Sequence, residues 1–280
     1  MSITLSHYQI KPLLTASRAN KTTALTSTDL GITTVQVRLA ADGVHFPSGE
    51  FLSWKNAEKI ARDENACFVL HDSTLQKIQT FSELTNRPYS LYPTSGAPTM
   101  LVAGFPMHRI KDSDPWQVAG AMVKTLQPVT GAVLDTATGL GYTAIELAKT
   151  AQHVVTIELD PAAQEIARQN PWSQPLFDRP TIEQRIGNSF DILPTFTANS
   201  FDAILHDPPT MSLAGDLYSL EFYRELFRVL KRGGKLFHYI GDPESKFGAN
   251  VTRGVIERLK AAGFARIKRA PQVFGLVAEK

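Results

Sequence analysis

From residue 131 onward, short runs of apolar and β-branched residues alternate with segments whose apolar positions recur every three or four residues. The runs at 131–135, 153–158, 181–187, 201–207 and 234–241 predict strands. The patterns at 142–151, 161–170, 220–231 and 251–262 predict helices. Asp114-Pro115 reads as an N-cap followed by proline at the first helical position, opening a further helix to about residue 127. Strands alternating with helices predict a parallel sheet covered on both faces. The last two strands, 264–269 and 273–278, are joined only by Ala270-Pro271-Gln272. That link is too short for a parallel crossover, so the pair must be antiparallel.

Before residue 110 the pattern is different. Short β-like runs at 33–39, 44–46, 67–71, 77–81, 89–92 and 100–107 are separated by turn residues, with Ala41-Asp42-Gly43 reading as a hairpin turn. One helix is expected, at about 54–63. The fold class is therefore α/β: a Rossmann-like, doubly wound, seven-stranded sheet with an antiparallel last strand, plus a small β-rich N-terminal domain. The expected domains are 1–108 and 109–280, with the polar stretch Arg109–Pro115 as linker or active-site loop.

Composition narrows the function classes. With 43% hydrophobic and 20% charged residues in 280, the chain has material for a core. No apolar run reaches membrane-spanning length, and the start lacks a basic, then apolar, leader. Cys67 is alone, which excludes an internal disulfide framework and a cysteine-rich metal site, and the expected location is cytoplasmic. No metal is expected. The formal charge of +2 hides an asymmetry: residues 228–280 carry a net +8 and the rest −6. Such asymmetry points weakly to an acidic partner.

The segment Val133-Leu134-Asp135-Thr136-Ala137-Thr138-Gly139-Leu140-Gly141 carries the chemistry. A strand ends at Asp135, two glycines let the backbone approach a ligand, and a helix opens with free N–H groups. The next strand ends in Glu158, placed to accept hydrogen bonds from ribose hydroxyls. Order and spacing together predict a nucleoside site. Gly139-x-Gly141-x-x-Ala144 also fits a dinucleotide loop, so NAD has to be weighed. Asp135 tilts against a pyrophosphate and toward a ligand bearing a cationic amino group. The turn 186–191, with Asn188 and Ser189, is placed to read an adenine edge, or Asn188 is a turn residue. Asp160 is assigned to capping the helix that starts at Pro161.

This arrangement resembles the class I S-adenosylmethionine-dependent methyltransferases over about residues 110–280. Met107-His108-Arg109, the Asp135–Glu146 loop and helix start, Asn170-Pro171-Trp172-Ser173, His206-Asp207-Pro208-Pro209, the 212–219 segment and Phe237-His238-Tyr239 resemble an archaeal-type family of predicted methyltransferases of unassigned substrate. The resemblance implies S-adenosylmethionine as cofactor, held by Asp135, Thr136, Ala137, Gly139, Gly141, Glu158, Asn188, Ser189 and Asp207. That family typically has Asp where Asn188 stands.

Asp207-Pro208-Pro209 follows the fourth strand of the alternating half, at the carboxyl edge where chemistry is placed in open α/β sheets. Two prolines remove N–H donors and leave carbonyls to accept, beside a carboxylate; this suits orienting an amine. The motif resembles the Asp/Asn-Pro-Pro-aromatic signature of amino-group methyltransferases through three positions and departs at Thr210, which cannot stack on a base. Tyr218, Phe222 or Tyr223 could supply a ring instead. Asp207, Pro208, Pro209 and His206 are the candidate catalytic residues; His238, on what should be the neighbouring strand, is another candidate. Residues 210–219, with Gly215, could form a lid. Met107-His108-Arg109 are candidates for pocket lining or a domain contact.

The expected function is methyl transfer to a nitrogen of an unknown acceptor, a small amine or RNA. The alternatives are aminopropyl transfer, because Glu158-Leu159-Asp160 and 217–223 resemble spermidine synthases, and an RNA-binding or RNA-modifying protein, because of the basic C-terminal region. Two prolines after Asp207 stand where a spermidine synthase carries a second, polyamine-gripping acid.

Overall fold

The computed structural model describes residues 2–280 apart from Ser212 and residues 243–245, and only the backbone of Lys246 and Phe247. The chain forms two compact units. One runs up to Trp116 and includes Ala162–Pro175; the other comprises Gln117–Pro161 and Leu176–Lys280. The boundary expected after residue 108 lies ahead of the first division. The segment 162–175, expected with the cofactor half, is tied into the first unit. Glu165 Oε2 accepts from Thr80 Oγ1 at 2.8 Å, and the Trp172 ring packs at 5.5 Å on Trp116.

The first unit holds three small antiparallel sheets. Ile3–Leu5 lies with Phe68–His71 and Thr74–Lys77. Thr23–Thr26, Val35–Leu39, Gly43–His45 and Phe51–Ser53 form a meander, and Gln79–Ser82, Arg87–Tyr92, Thr99–Val102 and Phe105–Pro106 form another. The expected turn at residues 41–43 joins Val35–Leu39 to Gly43–His45, with Ala40 and Gly43 exchanging backbone hydrogen bonds. Two expected strands are interrupted: 77–81 is divided between Thr74–Lys77 and Gln79–Ser82, which belong to different sheets, and 100–107 is a hairpin that reverses at Ala103-Gly104, both at positive φ. The pattern also missed a helix, His7–Arg18. It starts at a capping box in which Ser6 accepts from the Tyr8 N–H and Gln9 reaches back to the Ser6 N–H at 3.0 Å. Ile10 and Leu13 are buried on its inner face.

The second unit is a seven-stranded sheet. Its strands are β1 (Ala132–Asp135), β2 (His153–Glu158), β3 (Ile182–Ile186), β4 (Phe201–His206), β5 (Leu230–Tyr239), β6 (Ala265–Ala270) and β7 (Gly275–Glu279). The order is β3-β2-β1-β4-β5-β7-β6. β1 to β5 are parallel, and β7 runs antiparallel between β5 and β6. The expected sheet and its antiparallel end are present. Strand order reverses between β1 and β4, the switch point at which a crevice opens in such sheets. Leu134, Ile204 and Leu236 are fully buried under Phe222, Tyr223 and Leu226 of the helix Leu220–Val229 and Val255 and Leu259 of Lys246–Ala262.

β5 begins earlier than expected, at Leu230 rather than 234. Arg228 donates to the carbonyls of Phe196 and Leu193 at 2.8 and 3.0 Å, and Leu230 is fully buried and pairs with Phe201. The helix therefore ends at Val229 because the next side chain is needed in the core.

Candidate active site

Register places the chemistry of the second unit at one edge. Asp135 lies beside Thr156 of β2 and Leu205 of β4, and Glu158 beside Ile186. Asp207 follows β4 directly. The loop after β1 passes through Gly139 and Gly141 at φ +53° and +78°. At Gly141 a Cβ would come within 2.6 Å of the Leu176 side chain, so this glycine lets the helix Tyr142–Leu147 seat closely. At Gly139 a Cβ would meet nothing within 4 Å. That face of the loop is open, as a backbone that cradles a ligand has to be.

Glu158 braces the loop. Its Oε2 accepts from the Gly139 N–H at 2.8 Å and its Oε1 from the Asp160 N–H at 3.0 Å, and each oxygen keeps a further lone pair. Asp135 is fully buried. Its Oδ2 accepts from the hydroxyls of Thr143 and Thr156 at 2.9 and 3.2 Å. These two threonines carry no motif: Thr156 is the register partner of Asp135 on β2, and Thr143 stands in the first turn of the helix Tyr142–Leu147. Burial pushes the Asp135 carboxyl up to about 7, and the charge of Glu158 adds to this. Burial likewise raises Glu158 to about 7. Asp207 is raised to about 7 by burial and by the charge of Asp135. Among the described residues, none of these three carboxyls has an ion-pair partner. A site rich in carboxyl groups without cationic partners favours a cationic ligand.

The remaining loop residues shape the wall. The Thr136 N–H donates to the Leu205 carbonyl at 3.1 Å, its carbonyl accepts from Ser189 Oγ at 2.6 Å, and its hydroxyl lies 2.6 Å from His206 Nδ1. Ala137 directs its N–H toward Asp135 Oδ1 at 3.5 Å. Asn188 caps the helix Ser189–Ile192: its Oδ1 accepts from the Phe190 N–H at 3.0 Å, which leaves its amide NH2 for a ligand.

His206 sits on the floor beside Asp207. Its Nε2 lies 3.0 Å from the Leu217 carbonyl. A carbonyl only accepts, so Nε2 carries the proton and Nδ1 accepts from the Thr136 hydroxyl. Burial lowers its pKa to about 3, so the imidazole is neutral. His238 is its direct partner on β5, with ring centroids 4.4 Å apart, and Nε2 of His238 meets the Tyr223 hydroxyl at 2.8 Å. Both histidines thus have roles inside the fold.

Two expectations about the acceptor side are corrected. The Pro209 carbonyl accepts from the Tyr218 hydroxyl at 3.1 Å, so it is not left open by the missing N–H donors. Tyr218, Phe222 and Tyr223 are 3%, 1% and 0% exposed. They are core residues and present no face for a base to stack on. Of the expected 210–219 lid, Ser212 lies outside the described residues, and Gly215–Tyr218 forms a 3-10 turn. In the first unit, His108 Nδ1 lies 2.8 Å from Thr99 Oγ1.

Much of the C-terminal positive charge is spent within the fold. Lys231 pairs with Asp202 at 2.8 Å, Arg266 with Glu279 at 2.9 Å, and Lys235 donates to the Gln127 carbonyl. Lys280 donates to the Phe227 carbonyl and to Asn199. Lys268 and Arg269 lie on β6, the edge strand, where charge blocks pairing with other strands. In the first unit Glu50, His71 and Asp72 converge. Glu50 already accepts from the Asp72 and Ser73 N–H groups at 3.0 and 2.9 Å, which ties down a hairpin turn. No helix among the described residues is long and apolar enough to cross a membrane.

Residues 134–238 match a family model described as a methyltransferase domain. The uncharacterized protein MJ1233 of Methanocaldococcus jannaschii is 41% identical over 237 residues, covering 84% of this chain and 80% of its own. Spermidine synthase in complex with the transition state analogue AdoDATO is similar in structure, with a TM-score of 0.62 at 21% identity over 74% of this chain and 76% of that one. The Thermotoga maritima spermidine synthase gives a TM-score of 0.57 at 20% identity over 73% of each. At these identities the two structures show a shared fold. The open glycine loop, the unpaired carboxyls and the methyltransferase domain agree, and the chain belongs to the family of the archaeal protein, as an S-adenosylmethionine-dependent methyltransferase.

Proposed function

We propose that the chain transfers the methyl group to a nitrogen nucleophile, which Asp207 orients. One observation carries this: a half-buried carboxyl, with no ion-pair partner among the described residues, at the carboxyl end of β4, next to the switch point. Bound there, S-adenosylmethionine supplies an electrophilic methyl carbon. The open face of Gly139 admits the cofactor, Glu158 takes the ribose hydroxyls, and the Asn188 amide reads the adenine edge. Asp135 contributes negative charge from beneath the loop rather than a direct contact, since it is fully buried and its Oδ2 is held by Thr143 and Thr156.

At Asp207, an ionised carboxylate accepts from the amine and aims its lone pair at the methyl carbon. With a pKa near 7, the same group can take the proton the nitrogen releases. His206 lacks the free lone pair a base needs, because Nδ1 accepts from Thr136. We therefore assign it a positioning role. The bonded Pro209 carbonyl fixes the turn, and Pro208 stiffens it.

The test is labelled methyl transfer from S-adenosylmethionine into separated small-molecule, protein and RNA pools, with the acceptor atom read by mass spectrometry. Label on nitrogen supports the reading; label on carbon or oxygen refutes it. Calorimetry with S-adenosylmethionine, its decarboxylated form and NAD separates the rivals. Preference for the decarboxylated form, in which the aminopropyl group is the transferable one, would favour aminopropyl transfer. On the true acceptor, Asp207→Asn should lower kcat by about 100-fold or more; unchanged turnover excludes Asp207 as the base.

A further inference from the structure

One imidazole joins the two halves of the site. On one side, His206 Nδ1 accepts from the hydroxyl of Thr136, in the loop that carries Gly139 and Gly141. On the other, Nε2–H donates to the Leu217 carbonyl in the Gly215–Tyr218 turn. The next residue, Tyr218, returns a hydroxyl to the Pro209 carbonyl. Asp207 is therefore bracketed: His206 precedes it and is tied to the cofactor loop and the turn, and Pro209 follows it and is tied to the same turn. Every link is buried or partly buried, the ring is rigid, and both ring nitrogens are used. Thr136 has no slack either, because its N–H and carbonyl are held by Leu205 and Ser189. A small change in the loop must move the ring or break a bond.

We propose that His206 is a positioning residue that transmits the setting of the cofactor loop to the Gly215–Tyr218 turn and to the backbone carrying Asp207, so that the acceptor carboxylate is set once cofactor holds the loop. The consequence is ordered binding, cofactor first. This rests on the reading of Asp207 as the acceptor-orienting group. The neutrality of the ring fits the role, since a charged imidazole would donate at both nitrogens and lose the Thr136 bond as drawn.

Hydrogen exchange on the full chain, with and without S-adenosylmethionine, tests it. In the wild type, cofactor should slow exchange about tenfold at the amides of Leu217 and Ser219, which bond within the turn, as well as at the cofactor loop. Two variants each keep one link. His206→Asn places an amide where Nδ1 sits and retains Thr136; His206→Gln reaches the Nε2 position and retains Leu217. Both should abolish the protection at Leu217 and Ser219 and keep it at the loop, with cofactor affinity within about threefold of wild type for His206→Asn. Unaltered transfer of protection in either variant, or none in a wild type that binds cofactor, overturns the coupling. No cofactor binding by the wild type overturns the proposed function as well. If neither variant folds, nitrogen NMR of the wild-type imidazole decides: the Nδ1 resonance should shift on cofactor binding, and an unchanged spectrum refutes the proposal.

Discussion

Asp135, Glu158 and Asp207 share the carboxyl edge of the sheet, and each is held near pKa 7 by burial first, with a neighbouring carboxylate adding to it. On the proposed reading, a cationic ligand binds their ionised forms. Cofactor affinity should therefore rise with pH between about 6 and 8 and release protons, seen in calorimetry as heats that depend on the buffer's ionisation enthalpy. Asp135→Asn should flatten the profile. The sign for stability is opposite. The folded pKa of Asp135 lies above the unfolded value, so the fold binds more protons between about pH 4 and 7. Its contribution falls as pH rises through that window, by up to about 1.4 kcal/mol per unit. Urea unfolding of wild type and Asp135→Asn at pH 5 and 8 should show the variant gaining relative stability at the higher pH. At Gly139, alanine meets no atom of the fold, and its positive φ costs about 1 kcal/mol, yet the methyl enters the open face. Gly139→Ala should weaken cofactor binding by about tenfold or more, while stability in urea unfolding falls by only about 1 kcal/mol. The glycines and acids were legible because each residue type is needed for its place. Thr143 and Thr156 were not, since threonine occurs anywhere a hydroxyl finds a partner, and Tyr218 was singled out for its ring while the fold uses its hydroxyl.

At the scale of elements, β1 to β4 and the antiparallel β6–β7 pair matched the pattern because burial on both faces leaves long apolar runs and a short link forbids a crossover. Boundaries went astray where tertiary contacts intervene, as at Leu230. The missed helix His7–Arg18 had a local signal, Ser6-x-x-Gln9, but Pro12 lies inside it and obscures the pattern. Ser6→Ala should cost about 1 kcal/mol in urea unfolding and leave cofactor affinity unchanged. Tyr223→Phe strips His238 Nε2 of its partner; the other nitrogen, Nδ1, has no partner among the described residues. A loss of about 1–3 kcal/mol is expected in the same measurement.

For the whole molecule, the +8 and −6 division looked like a sign of an acidic partner. In the fold, Arg228, Lys231, Lys235 and Lys280 reach carbonyls, Asp202 or Asn199, and so fasten strand ends. The negative surplus, by contrast, includes the carboxyls gathered at the site. What the sequence by itself determined was the order of elements, the glycine loop with its acids, and the reaction class these imply, because backbone permissiveness, charge and periodicity are properties of a residue and its near neighbours. Only the tertiary structure decided how those groups are used. Which carbonyl a proline turn leaves free, which tyrosines are core, and that one histidine spans cofactor loop and acceptor turn depend on atoms from distant segments meeting at hydrogen-bond distance, and no local pattern encodes that meeting.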